Sequence, residues 1–209
     1  MSPKSERPES FTRTARRAQI VACAIEVIAE VGYPQASIRK IADRVGIAMS
    51  AVLYHFGSKD NLVDAIVEHM YRTMLTLVVP ALEAEPTATG QLNAYIRSCI
   101  KYFATHRTAL LALTSTATNF QPSDGRRFDQ LGLSPEVAKQ LAVLDPTAIL
   151  AAGQRDGEFG DFPLESTALA LRGAVNSVVE QILREPTYDA RGYGEDLIEI
   201  FGRIVRSAR

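Results

Sequence analysis

The stretch from Ser37 to Lys59, SIRKIADRVGIAMSAVLYHFGSK, predicts a helix, a tight turn and a second helix. Ser37 is a suitable N-cap, because its hydroxyl accepts a backbone N–H that the first helical turn leaves without a partner. Gly46 follows the first helix where a chain commonly needs positive φ. The second helix begins near Ala48 and ends by Gly57. One apolar stripe with 3- and 4-residue spacing gives the first helix its buried face, and it consists of Ile38, Ile41, Ala42 and Val45.

Helices are also expected on both sides of this pair. A first helix starts at Thr12 or Thr14 and continues to Val31, where Gly32-Tyr33-Pro34 stops it. Ser58 is a plausible N-cap for a long fourth helix from Lys59 to about Val79, which we expect Pro80 to close. Residues 1–11 combine prolines, serines and mixed charge, and we expect a disordered tail there.

The remainder of the chain also has helical periodicity and shows no strand alternation. Helices are predicted from Gln91 to His106, from Thr108 to Asn119, around 125–131, from Pro135 to Arg155 with an interruption at Asp145-Pro146, from Leu164 to Leu183 and from Tyr193 to Val205. The predicted fold class is therefore all-α. We divide the chain into the tail, an N-terminal helix-turn-helix domain over residues 12–58 and a larger helical domain over residues 59–209.

Composition and charge limit the class of protein. The chain has 209 residues, 46% of them hydrophobic, so a substantial core is expected. No apolar run is long enough to span a bilayer, and the N-terminus lacks the apolar segment of a signal peptide, so we expect a cytoplasmic protein with no membrane partner. Cys23 and Cys99 lie in apolar helical patterns and are expected to be buried free thiols.

The net charge of −1 is divided unevenly along the chain. Residues 1–62 carry nine Lys or Arg against six Asp or Glu, a balance of +3, and the rest of the chain has a balance of −4. The basic side chains of the N-terminal part can supply a local footprint for phosphate groups. They are Arg13, Arg16, Arg17, Arg39, Lys40, Arg44 and Lys59.

Several spaced motifs in this region resemble the tetracycline-repressor (TetR) family of bacterial transcriptional regulators. They are apolar-Arg-Lys-Ile-Ala at the start of the helix pair, Gly-Ile-Ala at the turn, Tyr54-His55-Phe56, and then Lys59 and Leu62. In the preceding helix, Ile20-Val21-Ala22-Cys23-Ala24 and Gly32-Tyr33 look like the family's core and helix exit. The resemblance by motif covers roughly residues 12–70.

This resemblance implies a protein that binds double-stranded DNA at a palindromic operator. Arg39 has the planar fork that pairs with guanine, and the exposed first turn of the second helix faces the groove. Small and apolar side chains there favour contacts with thymine methyl groups over hydrogen bonds to bases. The residues expected at the DNA are Ser37, Arg39, Lys40, Ala48, Met49, Ser50, Ala51, Tyr54, His55 and Lys59, with Ser37, Tyr54, His55 and Lys59 as phosphate contacts.

One residue departs from the family pattern. Most members place tyrosine where this chain has Leu53, and Tyr54 follows directly. Whether Tyr54 takes over the phosphate contact of the usual tyrosine is open at this point. We therefore expect specificity to rest on Arg39 and on the shape of the DNA.

The resemblance also implies a small-molecule effector and a homodimer. An effector bound in a pocket among helices 4 to 8 would move the DNA-binding domains of the two subunits apart. Because the candidate lining residues are mostly neutral, we expect an apolar or amphipathic molecule. The candidate lining residues are Met70, Met74, Phe103, His106, Leu113, Thr114, Thr118, Arg172 and Asn176. The last two predicted helices are expected to pair with their copies in a second subunit. The candidate interface residues are Gly173, Ser177, Leu197, Phe201 and Ile204.

Two other classes of protein are weighed against this one. An enzyme is disfavoured, because the three histidines have no metal-binding spacing and the chain lacks Gly-x-Ser-x-Gly, a phosphate loop and GxGxxG, so we expect no metal, cofactor or catalytic residue. A helical interaction module that has lost specific DNA binding stays open, because of Leu53 and the low net charge.

Overall fold

The computed structural model describes residues 11–121, 125 and 131–206, and its regular elements there are helices, as the sequence predicts. The α-helices are α1 Phe11–Val31, α2 Ile38–Val45, α3 Met49–Phe56, α4 Lys59–Glu83, α5 Ala88–Thr105, α6 Arg107–Asn119, α7 Pro135–Gln140, α8 Thr147–Arg155, α9 Leu164–Arg184 and α10 Ala190–Arg206. Short 3₁₀ segments span Tyr33–Gln35 and Leu141–Leu144. Among these helices, none is long and apolar enough to cross a membrane. Most of the short helix predicted around 125–131, and residues 1–10 of the predicted tail, lie outside the described residues.

Two compact units make up the chain. The first unit comprises residues 1–67 and 112–132, and the second comprises 68–111 and 133–209. Helices α4 and α6 each contribute residues to both units. The predicted division into domains at residue 58 stays a prediction.

The first unit is built around the apolar faces of α1, α2 and α3. Ile20, Ile28, Ile41 and Val52 are each at most 1% exposed, and Leu62 at the start of α4 is equally buried. Burying a side chain of this size contributes about 1.5 to 3 kcal/mol relative to leaving it in water. Of the predicted buried stripe of α2, Ile41 and Ala42 are buried, whereas Ile38 and Val45 are only half-buried.

The second unit has one continuous core formed by α5, α8, α9 and α10 together with the second half of α4. Its fully buried members include Leu92, Ile96, Leu150 and Leu171. The thiol of Cys99 is buried in this core, and desolvation raises its pKa to about 12, so the prediction of a buried free thiol is confirmed for this residue. Cys23 in the first unit is also a free thiol but is only half-buried.

Pro80 does not end α4, so the predicted boundary at Val79 is wrong. The helix continues to Glu83 with Pro80 inside it. Pro80 and Thr76, four residues earlier, are both exposed, so the carbonyl that loses its helical donor can turn to water.

Two other helices begin earlier than the sequence predicts, because side chains satisfy their first N–H groups. In α5 the Thr87 hydroxyl accepts from Gly90 N at 3.0 Å, and the Glu158 carboxylate accepts from the N–H groups of Ala88 and Thr89, both at 3.0 Å. In α10 the Asp189 carboxylate accepts from Gly192 N at 2.9 Å. The helices therefore start at Ala88 and Ala190 instead of Gln91 and Tyr193.

Candidate nucleic-acid interface

The turn between α2 and α3 is fixed by the cap residues that the sequence indicates. The Ser37 hydroxyl accepts from Lys40 N at 3.2 Å at the start of α2. Gly46 adopts φ 76° and ψ 36°, and the next N–H, from Ile47, donates to the carbonyl of Ala42 at 3.0 Å. This left-handed glycine closes α2 and sets the direction in which α3 leaves it.

Helix α3 buries one face and exposes the other. Val52 is fully buried and Phe56 is 6% exposed, whereas Met49 is 49% exposed and Tyr54 is 74% exposed. The exposed fraction of Leu53 is 37%. Met49, Leu53 and Tyr54 are thus the large hydrophobic side chains that α3 exposes.

Most of the predicted DNA residues are exposed. Ser37, Arg39, Lys40, Ala48, Met49, Ser50 and Tyr54 are exposed, and Ala51, His55 and Lys59 are half-buried. Within the described residues, the side chains of Arg39 and Lys40 have no hydrogen-bond or ion-pair partner, so both cations are available. Ala48 provides no side-chain cap, which leaves N–H groups of the first turn of α3 available as well.

Two other cations of the predicted footprint have partners inside the unit. Arg17 donates to the carbonyl of His55, and its guanidinium lies 4.4 Å from the ring centroid of Phe56, which fastens α3 to α1. Arg44 forms two hydrogen bonds with Glu30, at 3.0 and 2.5 Å. The hydrogen bond from Arg44 lowers the pKa of Glu30. Sequence periodicity does not reveal these contacts, because each joins residues far apart in the chain.

Lys59 also has an internal partner that the sequence does not predict. Its Nζ donates to the carbonyl oxygen of Tyr33 at 2.8 Å and lies 3.8 Å from the centroid of the Tyr33 ring. Burial lowers the pKa of Lys59 and raises that of Tyr33. The predicted N-cap beside it is confirmed, since the Ser58 hydroxyl accepts from Asn61 N at 3.1 Å. The phosphate contact of Lys59 stays a prediction.

Aromatic rings extend the exposed surface of α3. The Tyr54 ring packs edge-on against His55, with 5.4 Å between their centroids, and the guanidinium of Arg13 lies 5.9 Å from the Tyr54 centroid. Tyr54 thus projects from the surface next to a cation, whereas Leu53 has no polar atom to offer. One phenolic hydroxyl is thus exposed on α3, the helix that also carries the exposed Met49.

The nine predicted effector residues are distributed over both units. In the second unit, Met70 and Phe103 are buried, Met74, His106 and Arg172 are half-buried, and Asn176 is exposed. Arg172 donates to Asp145 at 2.9 Å, and His106 stacks on Tyr102 with centroids 4.4 Å apart. In the first unit, Leu113 is half-buried while Thr114 and Thr118 are exposed. The assignment of these residues to an effector stays a prediction.

The candidate dimer residues also fall into two groups. Gly173, Ser177 and Ile204 are exposed, whereas Leu197 and Phe201 are each 4% exposed and pack in the core of their own unit. A side chain buried in its own chain has little surface left for contact with a second copy. We therefore take other, exposed apolar residues of α9 and α10 as candidates for the interface in place of Leu197 and Phe201. Leu169 on α9 is 62% exposed and Ile200 on α10 is 50% exposed. With Ile204, they give the two helices an exposed apolar surface.

These observations define an all-helical protein with an N-terminal helix-turn-helix whose second helix has one exposed face. Residues 20–66 match the family model described as bacterial regulatory proteins, tetR family. The N-terminal part of this chain is therefore similar to the DNA-binding region of the TetR family of bacterial regulatory proteins.

Three known proteins illustrate the relationship. The nucleoid occlusion factor SlmA of Haemophilus influenzae is 23% identical over 124 residues, which cover 58% of this chain and 57% of SlmA. The HTH-type transcriptional regulator BetI of Burkholderia cenocepacia is 33% identical over 67 residues, 32% of this chain and 34% of BetI. The crystal structure of the transcriptional regulator FadR from Bacillus subtilis in complex with stearoyl-CoA has a TM-score of 0.74 at 20% identity, covering 92% of this chain and 99% of FadR. The match to SlmA thus spans little more than half of that protein, and the match to BetI about a third.

Proposed function

We propose that this protein is a sequence-specific DNA-binding transcriptional regulator that acts as a repressor. The observation that carries the proposal is the exposure of Arg39 and Lys40 on α2 and of Met49 and Tyr54 on α3, together with an N-terminus of α3 that has no side-chain cap. Cations and backbone N–H groups bind the phosphates of DNA, and side chains at the start of a recognition helix reach base edges in the major groove.

In this proposal Arg39 and the residues of α3 make different contacts with the DNA. The guanidinium of Arg39 donates two hydrogen bonds to one guanine, or else neutralises a phosphate. Ala48, Met49 and Ala51 have no side-chain hydrogen-bond donor, so they contact thymine methyl groups and fit the local shape of the groove. Lys40 and the hydroxyl of Tyr54 contact the backbone of the DNA and set the register.

We also propose that the regulator acts as a homodimer through α9 and α10. Two-fold symmetry in the protein suits a palindromic operator, whose half-sites lie a helical turn or more apart. The exposed Leu169, Ile200 and Ile204 would be covered by their symmetry mates, which removes apolar surface from water.

An apolar or amphipathic small molecule is the proposed effector. The fold shared with B. subtilis FadR, whose structure contains stearoyl-CoA, supports this class. The effector would release the operator by binding one of two conformations more tightly than the other.

A gel-shift titration tests the DNA-binding proposal. The probe is the region upstream of the protein's own gene, with a shuffled sequence of the same length as control, at about 50 to 200 mM salt, where phosphate contacts weaken strongly. Retention of the upstream probe at salt that releases the shuffled probe is the expected result. Equal retention of both probes at every salt concentration would instead favour the helical interaction module. Adding stearoyl-CoA, with coenzyme A as control, then tests the effector class.

A further inference from the structure

The second unit contains a surface cleft between α5 and α10 that neither DNA binding nor the predicted effector site uses. Its volume is about 330 Å³, which is at the lower end of the range for small-molecule sites. None of the nine predicted effector residues lines it. The lining residues are Arg97, Ile100, Lys101, Ala104, Thr105, Arg191, Gly194 and Glu195.

Small residues create the space. Gly194 has no side chain to occupy the space beside Ile100, whose side chain would lie 3.5 Å, an ordinary van der Waals distance, from a Cβ atom built at position 194. Ala104, one turn further along α5, has too short a side chain to fill the volume beside this contact. The cleft therefore has an apolar floor, to which the 3%-exposed Ile100 contributes.

Charged groups surround this floor, and cations are in excess. The rim has three cations and one carboxylate. Arg97 is neutralised, since its Nε and Nη2 each donate to Glu195 at 2.8 Å. Arg97, and to a lesser extent Arg191, hold the pKa of Glu195 below its ordinary value, so this carboxyl is charged at neutral pH.

The other two cations are left without a partner of their own. Within the described part of the chain, neither the ammonium group of Lys101 nor the guanidinium of Arg191 makes a hydrogen bond or an ion pair within 4 Å. An apolar floor beside two unneutralised cations is complementary to a molecule that has an acid group at one end and a short apolar body at the other. A neutral apolar molecule would leave the cations unused, and a cation would be repelled.

We propose that the cleft between α5 and α10 binds a small amphipathic organic anion, with its acid group at Lys101 and Arg191 and its apolar body over Ile100. This is a second ligand site, on the exposed side of α5, whereas Phe103 on the same helix faces the core. The proposal does not depend on DNA binding, because none of its residues belongs to the helix-turn-helix.

Isothermal titration calorimetry with sodium octanoate tests this site. Octylamine, which has the same chain length and the opposite charge, is the ligand control. We expect saturable binding of one octanoate per chain with a millimolar or tighter Kd, and no saturable binding of octylamine. A titration that stays linear up to about 10 mM octanoate, or equal binding of octylamine, would overturn the proposal.

Two variants locate the binding. Lys101→Glu combined with Arg191→Glu should weaken octanoate binding by about tenfold or more, because the acid group then meets like charges. Ala104→Trp should fill the cleft and weaken binding to a similar degree while leaving the rim charges unchanged. Lys139→Glu, an exposed reversal on α7 in the same unit, is the matched control and should leave Kd within about twofold, as distant surface changes usually do.

Circular dichroism of each variant establishes that it is folded. If octanoate binds all four proteins equally, its site lies elsewhere and the proposal is wrong. Operator binding by the double variant, measured by gel shift, is expected to be unchanged. Failure of the cleft and failure of the DNA-binding proposal are therefore distinguishable.

Discussion

Lys59 and Tyr33 form a paired contact in which the ammonium group donates to the tyrosine's own carbonyl at 2.8 Å and lies 3.8 Å from the centre of its ring. The contact joins the first residue of α4 to the turn after α1, across 26 positions of sequence. We therefore expect Lys59→Met to lower the free energy of unfolding by about 1 to 2 kcal/mol, since it removes a cation–π contact and a charge-assisted hydrogen bond. Urea denaturation followed by circular dichroism measures this change.

Lys40→Met is the matched control for Lys59→Met. Lys40 is exposed in the same unit, so its replacement should change the free energy of unfolding by less than about 0.5 kcal/mol. In a gel shift the effect should be reversed: Lys40→Met should weaken DNA binding more than Lys59→Met does. Unchanged stability in Lys59→Met together with weaker binding to every DNA would show instead that Lys59 is mainly a phosphate contact.

Arg39→Ala should weaken binding to the operator by about 1 to 3 kcal/mol, because a bidentate pair with guanine is lost. Binding to random DNA should change much less. Arg44→Ala on the same helix is the control, since Arg44 is ion-paired to Glu30 on the exposed surface and should contribute little to operator binding. Equal losses on operator and random DNA would identify Arg39 as a phosphate contact.

Tyr54→Phe tests whether the exposed phenol replaces the tyrosine that this chain lacks at Leu53. Removing one hydroxyl that contacts a phosphate should cost about 0.5 to 1.5 kcal/mol on operator and random DNA alike. Fluorescence anisotropy with labelled duplexes measures both affinities. Tyr71→Phe, an exposed tyrosine of the second unit, is the control and should have no effect. If Tyr54→Phe also binds like the unchanged protein, the hydroxyl does not contact DNA.

The features of this fold that the sequence predicts well are those that depend on contacts between residues close together in the chain. Ser37, Gly46 and Ser58 act through N–H groups within a few positions, so cap chemistry is visible in the sequence. The carboxylate that starts α5 comes from Glu158, about 70 positions away, and no local pattern indicates it. The same holds for Arg17 on α1, which donates to the carbonyl of His55 on α3, 38 positions away.

Side-chain burial in the last two helices shows a second limit. The apolar residues of α10 recur at 3- and 4-residue spacing and so form one stripe in the sequence, but this stripe is divided between two surfaces of the helix. Leu197 and Phe201 face the core, while Ile200 and Ile204 face outward. Which edge of a broad stripe faces the core depends on the rotation of the helix, which only packing against its neighbours determines.

Ile200→Glu together with Ile204→Glu should convert the proposed dimer into monomers. Two carboxylates per chain on an apolar interface would be desolvated and would face like charges across the two-fold axis. Size-exclusion chromatography with light scattering measures the mass, which should fall from twice 22.8 kDa to a single chain. Tyr71→Glu adds a carboxylate at an exposed apolar side chain of α4 and should leave the mass unchanged. A double variant that stays dimeric would rule out this interface.

Glu158→Gln should lower the melting temperature at neutral pH, because the carboxylate accepts from two N–H groups at the start of α5 and complements the helix dipole. These backbone hydrogen bonds, that from Thr89 first, hold the pKa of Glu158 below its ordinary value of 4.5. A carboxyl with a lowered pKa in the folded state stabilises the protein above the unfolded pKa, and this stabilisation is lost as pH falls through the folded pKa. The difference in melting temperature between the unchanged protein and Glu158→Gln should therefore be constant near pH 7 and shrink below about pH 4.5.

Glu83→Gln, which replaces an exposed carboxylate with no hydrogen bond in the described structure, should show no such difference at any pH. A Glu158→Gln difference that persists unchanged in acid would mean that the side chain acts through packing and not through its charge.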